Sequence, residues 1–490
     1  MSSSELLRRE WVAFRRPGRL AALAAAAAAV IGLGLLASAG VHVECPGPCP
    51  PTPVADDGTI VSDRFWFYHR DLGPEGSITV RMTSMTGTIT YPPPDHDQIV
   101  PGLVPWAKAG IIIKDGLRQG SPYAALMMTG SHGVRLQYNY RHDIAGGQGG
   151  SSECWLRLTR SGDAITAAES SDGHKWGTVG TVALEGLPEV VQVGLFATSP
   201  GDLTLRKIGL GGAIEEVRFT QAVGVFDNVA VEGAADGAWR SDPVGEMNHT
   251  DWEKHHQASG AVADDGVVTV SGTGDIGPIG EDGPGVNTPL LGLVFAVIIV
   301  TVVSARFGAA TVREAQATPV IAARAVVLGV TTFLTGVVAV GVVLSAGRTI
   351  LANNGAAVPA LPALTNARVV IGLAVVIALC AVLTYGLGVW LRRGWVAILI
   401  SLSLIALPYG VTAVPLLADP VAQWLLRVTP AAGFAVQQTA VEYAQVTAHY
   451  APSAAYFPLP WWAGLAVLCA YTAAAMGVAV RRKPAATDWR

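Results

Sequence analysis

The densest group of ionisable side chains in the 490-residue chain is His249, Asp251, Glu253, His255 and His256, all within the octet HTDWEKHH. Imidazoles and carboxylates are the ligands of zinc and related metals, yet the same string reads equally as a solvated loop. Asp95-His96-Asp97, after three prolines, poses the same choice. Asp63, Asp115, Asp163 and Asp172 are oxygen donors of the kind that hold Ca²⁺, and also residues that cap and bend turns. Cys45 and Cys49 form a C-x-x-x-C pair among prolines. A metal would need two further ligands, which nothing nearby supplies. A disulfide closing a small loop in an oxidising compartment is the favoured reading.

Catalytic signatures are missing. No Lys follows a Gly, so the phosphate loop GxxxxGK[ST] is absent, as are HExxH and GxSxG. The sequence therefore offers neither a nucleotide site nor a catalytic or cofactor-binding residue. A glycosidase would need two carboxylates flanking a sugar, a pairing no spacing reveals here. If the chain moves a solute uphill, the energy comes from another subunit.

What must position any such chemistry is apolar. Six runs of 18 to 25 residues lack Asp, Glu, Lys, Arg and His: 20–41, 288–305, 325–347, 369–391, 394–418 and 461–480. A helix needs roughly 20 apolar residues to cross ~30 Å of hydrocarbon, so each run predicts a transmembrane helix. A mid-membrane charge usually marks an ion or proton path; these cores carry none.

Arginines set the expected orientation. Arg8, Arg9, Arg15, Arg16 and Arg19 precede the first run; Arg306, Arg313 and Arg324 lie between the second and third; Arg392 and Arg393 lie between the fourth and fifth. Arg481, Arg482, Lys483 and Arg490 follow the sixth. Both termini, 1–19 and 481–490, are therefore expected in the cytoplasm and residues 42–287 outside. Ala37-Ser38-Ala39 resembles a signal-peptidase site, but the apolar stretch exceeds the roughly 7–15 residues of a signal-peptide core, which favours an uncleaved anchor. Residues 42–287 hold 31 acidic and 16 basic residues, and the rest of the chain 6 acidic and 17 basic. An acidic outer domain excludes nucleic acid as a partner there. The 27 Arg against 6 Lys suggest a high-GC bacterial genome.

The outer domain reads as strands and turns. Ile78, Val80 and Met82 alternate with Thr79, Arg81 and Thr83, and Val134, Leu136, Tyr138 and Tyr140 alternate with polar residues. Period 2 predicts half-buried antiparallel strands, separated by the turns Ser161-Gly162-Asp163, Ser171-Asp172-Gly173 and Ser199-Pro200-Gly201. The fold class expected is thus a multi-pass membrane protein, six transmembrane α-helices plus an all-β extracellular jelly-roll or β-sandwich domain. Strand-like pieces in 221–276 complete that sandwich or form an annex, and the Gly/Pro-rich stretch 277–287 reads as the linker to the second helix.

The segments 106–140, 155–176 and 191–201, with RSGD and SSDGxxW about ten residues apart, resemble laminin-G or concanavalin A-like lectin/glucanase domains over residues 54–220. The resemblance implies a sheet that often binds glycan, here a cell-wall ligand.

The C-terminal half, with RREWVAFRRPGR (8–19), resembles the permease subunit of a type-2 ABC exporter. RFGAATVREAQATPVIAARAVV (306–327) is similar to that family's loop between spans two and three, and 410–440 to the segment that folds into short helices at the outer surface. The resemblance implies a cytoplasmic ATP-binding subunit, a homodimer or sister permease, membrane lipid as surroundings, and a coupling helix whose contact residues would be Phe307, Thr311, Val312, Arg313 and Glu314. The sequence departs from the family in two places. Ser304 and Ala305 replace the usual acid before the loop, and Val320-Ile321-Ala322 replaces the basic cluster after A-T-P.

Overall fold

The computed structural model describes residues 3–43, 52–91, 98–147, 153–234, 237–247, 258–279, 288–313, 318–439 and 441–481. Cys45, Cys49, the Asp95-His96-Asp97 triplet, the whole HTDWEKHH cluster and Glu314 lie outside the described residues.

The helical half begins with α1 (Ser3–Phe14), which turns at Arg15-Arg16 into α2 (Pro17–Gly40). Beyond the β domain follow α3 (Leu293–Arg313), α4 (Thr318–Asn353), α5 (Ala363–Leu391), α6 (Gly394–Ser401), α7 (Leu407–Thr412), α8 (Asp419–Val428) and α9 (Trp461–Arg481). Six helical stretches are long and apolar enough to cross a bilayer, with α6 and α7 forming one of them. A π turn over Leu402–Ala406 joins α6 to α7, just before Pro408. Proline cannot donate to the carbonyl four residues back, and a wider turn ahead of it absorbs that loss. The helix ends at Thr412, six residues short of the apolar run.

Close packing of these helices depends on glycines. A Cβ on Gly388 would lie 2.6 Å from the Ala305 carbonyl, and one on Gly308 2.4 Å from that of Tyr385. Only an absent side chain lets α3 and α5 touch there. Gly336 on α4 likewise abuts Ala374 of α5, at 2.9 Å.

The segment after α7 differs from the expected surface helices. Asp419 starts α8 beside the β domain, but the carbonyl of Val428 at its other end accepts a hydrogen bond from Tyr471, midway along α9. A 3₁₀ stretch, Pro430–Gln437, then returns, buried at every residue. Gly433 fits between Leu468 of α9 and Val376 of α5, and Val436 reaches Gly372. The pair thus forms a hairpin inserted among the helices.

In the β domain the described strands are β1 (Val61–Asp63), β2 (Phe65–Thr90), β3 (Ile99–Pro101), β4 (Lys108–Lys114), β5 (Tyr123–Thr129), β6 (Val134–Tyr138), β7 (His142–Ala145), β8 (Cys154–Ser161) and β9 (Ala164–Ser170). They continue as β10 (Gly177–Ala183), β11 (Val191–Thr198), β12 (Asp202–Ile208), β13 (Gly212–Ala234), β14 (Arg240–Val244), β15 (Gly260–Asp264), β16 (Val267–Gly272) and β17 (Ile276–Pro278). The main path runs β10-β9-β8-β2-β11-β4-β5-β6-β7. All its pairings are antiparallel. The 26-residue β2 serves two layers. Its first half pairs with β11 and β14, its second with β8 and β13. Ile78, Val80 and Met82 point inward, as the alternation predicts, and meet Leu156, Leu158 and Ile165 from β8 and β9. Ile111, Ile113, Leu126 and Leu136 of β4 to β6 close the same core from the other side. Tyr140, placed by its alternation in β6, instead follows it in a left-handed turn with φ 66°.

Among the described residues of 221–276, β13 to β16 belong to this sheet rather than to an annex. β13 runs along β2 and carries β16, and β1 pairs with β17, so both ends of the domain meet.

Gly336 and Gly341, one and a half turns apart on α4, test the packing argument. A methyl at Gly336 must displace Ala374, whereas at Gly341 only Val370 lies near, at 3.9 Å. Gly336→Ala should cost about 1–3 kcal/mol. Gly341→Ala should be neutral or stabilise by up to about 1 kcal/mol. Thermal unfolding of the detergent-solubilised protein separates the two.

Candidate functional site at the α1 end of the helices

Three of the five residues expected to meet an ATP-binding subunit are described with their side chains, and two of those point inward. α3 extends through the expected loop to Arg313 and α4 starts at Thr318, which leaves only 314–317 between them. Phe307 and Thr311 are buried at 2% and 1% exposure, so neither is available to a second chain; this corrects their expected role. Val312 is half-buried, and Arg313 ends the helix.

Their neighbours explain the burial. Glu10, the lone acid of the otherwise basic α1 stretch 8–19, is buried against Arg324 of α4, whose Nε donates to its Oε2 at 2.7 Å. Arg9 donates to the other oxygen at 3.0 Å. Burial pushes the Glu10 carboxyl up, but the two guanidinium groups outweigh it and hold it below its usual range. Arg324 Nη1 donates to Thr311 Oγ1 at 3.0 Å, and Thr311 donates to the Phe307 carbonyl at 2.9 Å. The Tyr385 hydroxyl of α5 lies 3.3 Å from the Ile321 carbonyl. Around the ion pair stand Phe14, edge-on to Phe307 at 5.4 Å, and Tyr385 at 5.6 Å from Phe307. Arg19 lies over the Phe307 ring at 4.4 Å. One buried pair with an aromatic wall thus joins α1 to α3, α4 and α5.

Sequence reasoning missed Glu10 and Tyr385 and counted Arg324 only among the orienting charges. A lone acid within a basic amphipathic stretch was the available signal. The exposed surface at this end is basic, with Arg8, Arg15, Arg16, Arg306, Arg392, Arg393 and Arg481 all facing outward.

The β domain holds a second polar centre. Lys114, at one end of β4, has no exposed side-chain surface, and neither has its partner Asp63, 2.8 Å away on β1. Asp63 Oδ2 also receives the Gly120 N–H at 2.8 Å and lies 2.7 Å from the Tyr140 hydroxyl. Burial lowers the Lys114 ammonium from its usual value, with Asp63 opposing. At the other end of β4, Lys108 donates to Asp275 at 2.5 Å and to the Ile276 carbonyl at 2.6 Å. Asp63 lies on β1 and Asp275 just before β17, so one strand holds the first and last described strands of the β domain. Above it Val61, Val244, Ile276 and Tyr140 cover Phe67, Ile112, Tyr123, Met127 and Phe196. Every residue of β4 and β5 is buried. Both faces of β4 and β5 are thus covered by the chain's own segments.

Of the two readings of the aspartates, Ca²⁺ ligand or turn residue, the hydrogen bonds of Asp163 and Asp172 are those of turn residues. Asp163 accepts the N–H groups of Gly186 and Leu187, and Asp172 those of His174 and Lys175. Both oxygens of Asp163 and Oδ1 of Asp172 thus face donors. Among the described residues, Asp115 included, no three His, Cys, Asp or Glu come together as a metal site. RSGD and SSDGxxW are turn devices: buried Arg160 donates to the carbonyls of Gly73, Gly162, Pro188 and Glu189, and Trp176 to that of Gly173. Cys154 is a free, buried thiol pushed up to about 12 by burial.

No protein-family model and no curated protein matches the chain. Solved structures similar to part of it include a functionally unknown protein from Saccharomyces cerevisiae, 15% identical over 41% of this chain and 99% of that one, TM-score 0.20. A GH43 protein from Bacillus licheniformis is 12% identical over 25% of this chain and 24% of that one, TM-score 0.18. Scytalido-glutamic peptidase with a peptide-based transition-state analogue is 9% identical over 43% and 98%, TM-score 0.27. Likenesses at these values carry no argument about fold or activity.

Glu10→Gln should release α1, because it removes the carboxylate charge that both Arg324 and Arg9 meet at this buried position, at a cost of about 3 kcal/mol. Hydrogen exchange across residues 3–14 should accelerate, and the swap Glu10→Arg with Arg324→Glu should restore protection. Because the Glu10 carboxyl is held low, α1 docking should persist across neutral pH and weaken as pH falls through its lowered value. In the β domain, Lys114→Met should cost about 3 kcal/mol by orphaning Asp63, and adding Asp63→Leu should recover most of it. Urea unfolding followed by tryptophan fluorescence reads both.

Proposed function

We propose that the chain is the membrane subunit of an ATP-driven exporter, with ATP hydrolysis in a separate chain bound at the α1 end and the β domain outside. The observation that carries this reading is the placement of charge. The buried pair Glu10–Arg324 and the exposed arginines collect at one end of six long apolar helices, while the acidic β domain sits at the other. Arginine-rich ends face the cytoplasm in membrane proteins, and a partner that hydrolyses ATP works there. An amphipathic α1 locked to the starts and ends of three helices gives that partner a lever. Movement of α4 at Arg324 carries α1 and α5 with it.

The β domain docks on the helices at its own end. The Leu210 N–H donates to the Leu416 carbonyl at 3.0 Å, Gln445 to the Arg141 carbonyl at 2.9 Å, and His449 lies 2.6 Å from Asp419 and 3.5 Å from Glu215. With β4 and β5 covered, this domain acts as a rigid cap through which cargo is received or guided, rather than as an open lectin cleft.

Gentle solubilisation of the tagged chain from its native membrane should bring down a stoichiometric chain with a phosphate loop. Arg306→Glu combined with Arg393→Glu should abolish that co-purification while thermal stability stays within about 0.5 kcal/mol, as for surface substitutions generally. A chain that purifies alone, or a double variant that keeps its ATPase, would sink the assignment.

A further inference from the structure

Near the β-domain ends of α4 and α5 the two helices part. They touch at Gly336 and Ala374, and from five residues further along α4 they enclose a cleft of about 300 Å³ lined by Gly341, Leu344, Ser345, Arg348, Asn366 and Val370. The opening follows from Gly341, whose missing side chain leaves only Val370 within 4 Å of the vacant Cβ position.

The lining is divided along its length. Gly341, Leu344 and Val370 make the end nearer the middle of the helices apolar. Ser345, Arg348 and Asn366 make the end nearer the β domain polar, and no carboxylate lines the cleft. The Ser345 hydroxyl donates back to the Gly341 carbonyl at 2.8 Å, so its oxygen turns lone pairs, not its proton, outward. Arg348 is fixed by one hydrogen bond from Nη2 to the Pro359 carbonyl, which orients the guanidinium and leaves its other N–H groups to a ligand. The flanks of the cleft, Val338, Val342, Leu364 and Ile371, are exposed apolar side chains. Such flanks suit hydrocarbon.

A guanidinium at the rim of an apolar helix pair is costly unless an anion meets it. Its planar fork matches phosphate oxygens in bidentate fashion. At this level in a bilayer the abundant anion is the lipid phosphate. The cleft has room for a headgroup, roughly ten water-sized groups at about 30 Å³ each. We infer that it binds one anionic phospholipid, with the phosphate on Arg348 and Asn366 and the start of an acyl chain along Leu344, Gly341 and Val370. The inference needs α4 and α5 to cross the bilayer but is independent of any ATPase partner. Its alternative is an arginine that merely reaches toward the headgroups without holding one.

Native mass spectrometry of the full chain in detergent, titrated with dioleoyl phosphatidylglycerol or phosphatidylcholine, decides. The wild type should retain one phosphatidylglycerol about tenfold more tightly than phosphatidylcholine, the effect of one charge-assisted contact. Arg348→Gln should remove the preference, and Gly341→Leu, which fills the cleft without touching the charge, should remove the bound lipid. Gly341→Ala should keep it, and Arg348→Lys should keep a weaker preference. Equal retention of the two lipids, or phosphatidylglycerol bound unchanged in Gly341→Leu, would overturn the site in favour of a freely reaching arginine. Displacement of the lipid by millimolar inorganic phosphate would overturn the lipid as ligand.

Discussion

Strand β4 carries a fully buried lysine at each end, and through Asp63 and Asp275 these lysines hold both chain segments that connect the β domain to the helices. A buried ammonium requires a carboxylate beside it, because its solvation is lost and only a paired, hydrogen-bonded charge offsets that loss. That requirement fixes where β1 and the Asp275 turn must lie. Once they lie there, β1 meets β17 and the second face of β4 and β5 is covered. Sealing of the face and closure of the domain follow from the same pair of contacts.

The helical half obeys the complementary rule. Where hydrocarbon surrounds the chain, charges gather at the helix ends, and close approach in the middle is left to glycine and alanine. Gly308, Gly336 and Gly388 mark contacts where α3, α4 and α5 share space. The buried Glu10–Arg324 pair is the exception in kind, an ion pair shielded by Phe14, Phe307 and Tyr385. Its position, next to the start of the apolar run of α4 and past the end of that of α3, joins α1 to both helices.

How much of this was legible in the sequence varies with the length scale of the signal. Uninterrupted apolar runs and period-2 alternation are local properties, so the six helices and the strands around Ile78–Met82 and Val134–Leu136 could be read directly. Helix ends were less visible. α3 and α4 run on through residues 306–313 and 318–324 because Phe307, Thr311 and Arg324 bury their side chains against other helices, a tertiary gain that polarity alone conceals. Asp63 read as a turn or calcium residue because its partner Lys114 is 51 positions away. Tyr140 kept the alternation of β6 yet left the strand, since its hydroxyl belongs to the Asp63 centre. Likewise the inserted hairpin of α8 and Pro430–Gln437 carries no periodic mark of depth; only its contacts with Tyr471, Val376 and Gly372 place it among the helices.

These two halves are coupled in a specific way. The β12–β13 tip at Leu210 and the Asp419–His449–Glu215 cluster rest on the same segment that continues into α8, whose far end reaches the middle of α9. Displacement of α8 must therefore either move the β domain or break this contact. Rearrangement of the helices would consequently reach the β domain through α8 first, and the polar contacts of His449 with Asp419 and Glu215 are the weakest join on that route, being partly open to solvent while the Lys114–Asp63 anchor is not.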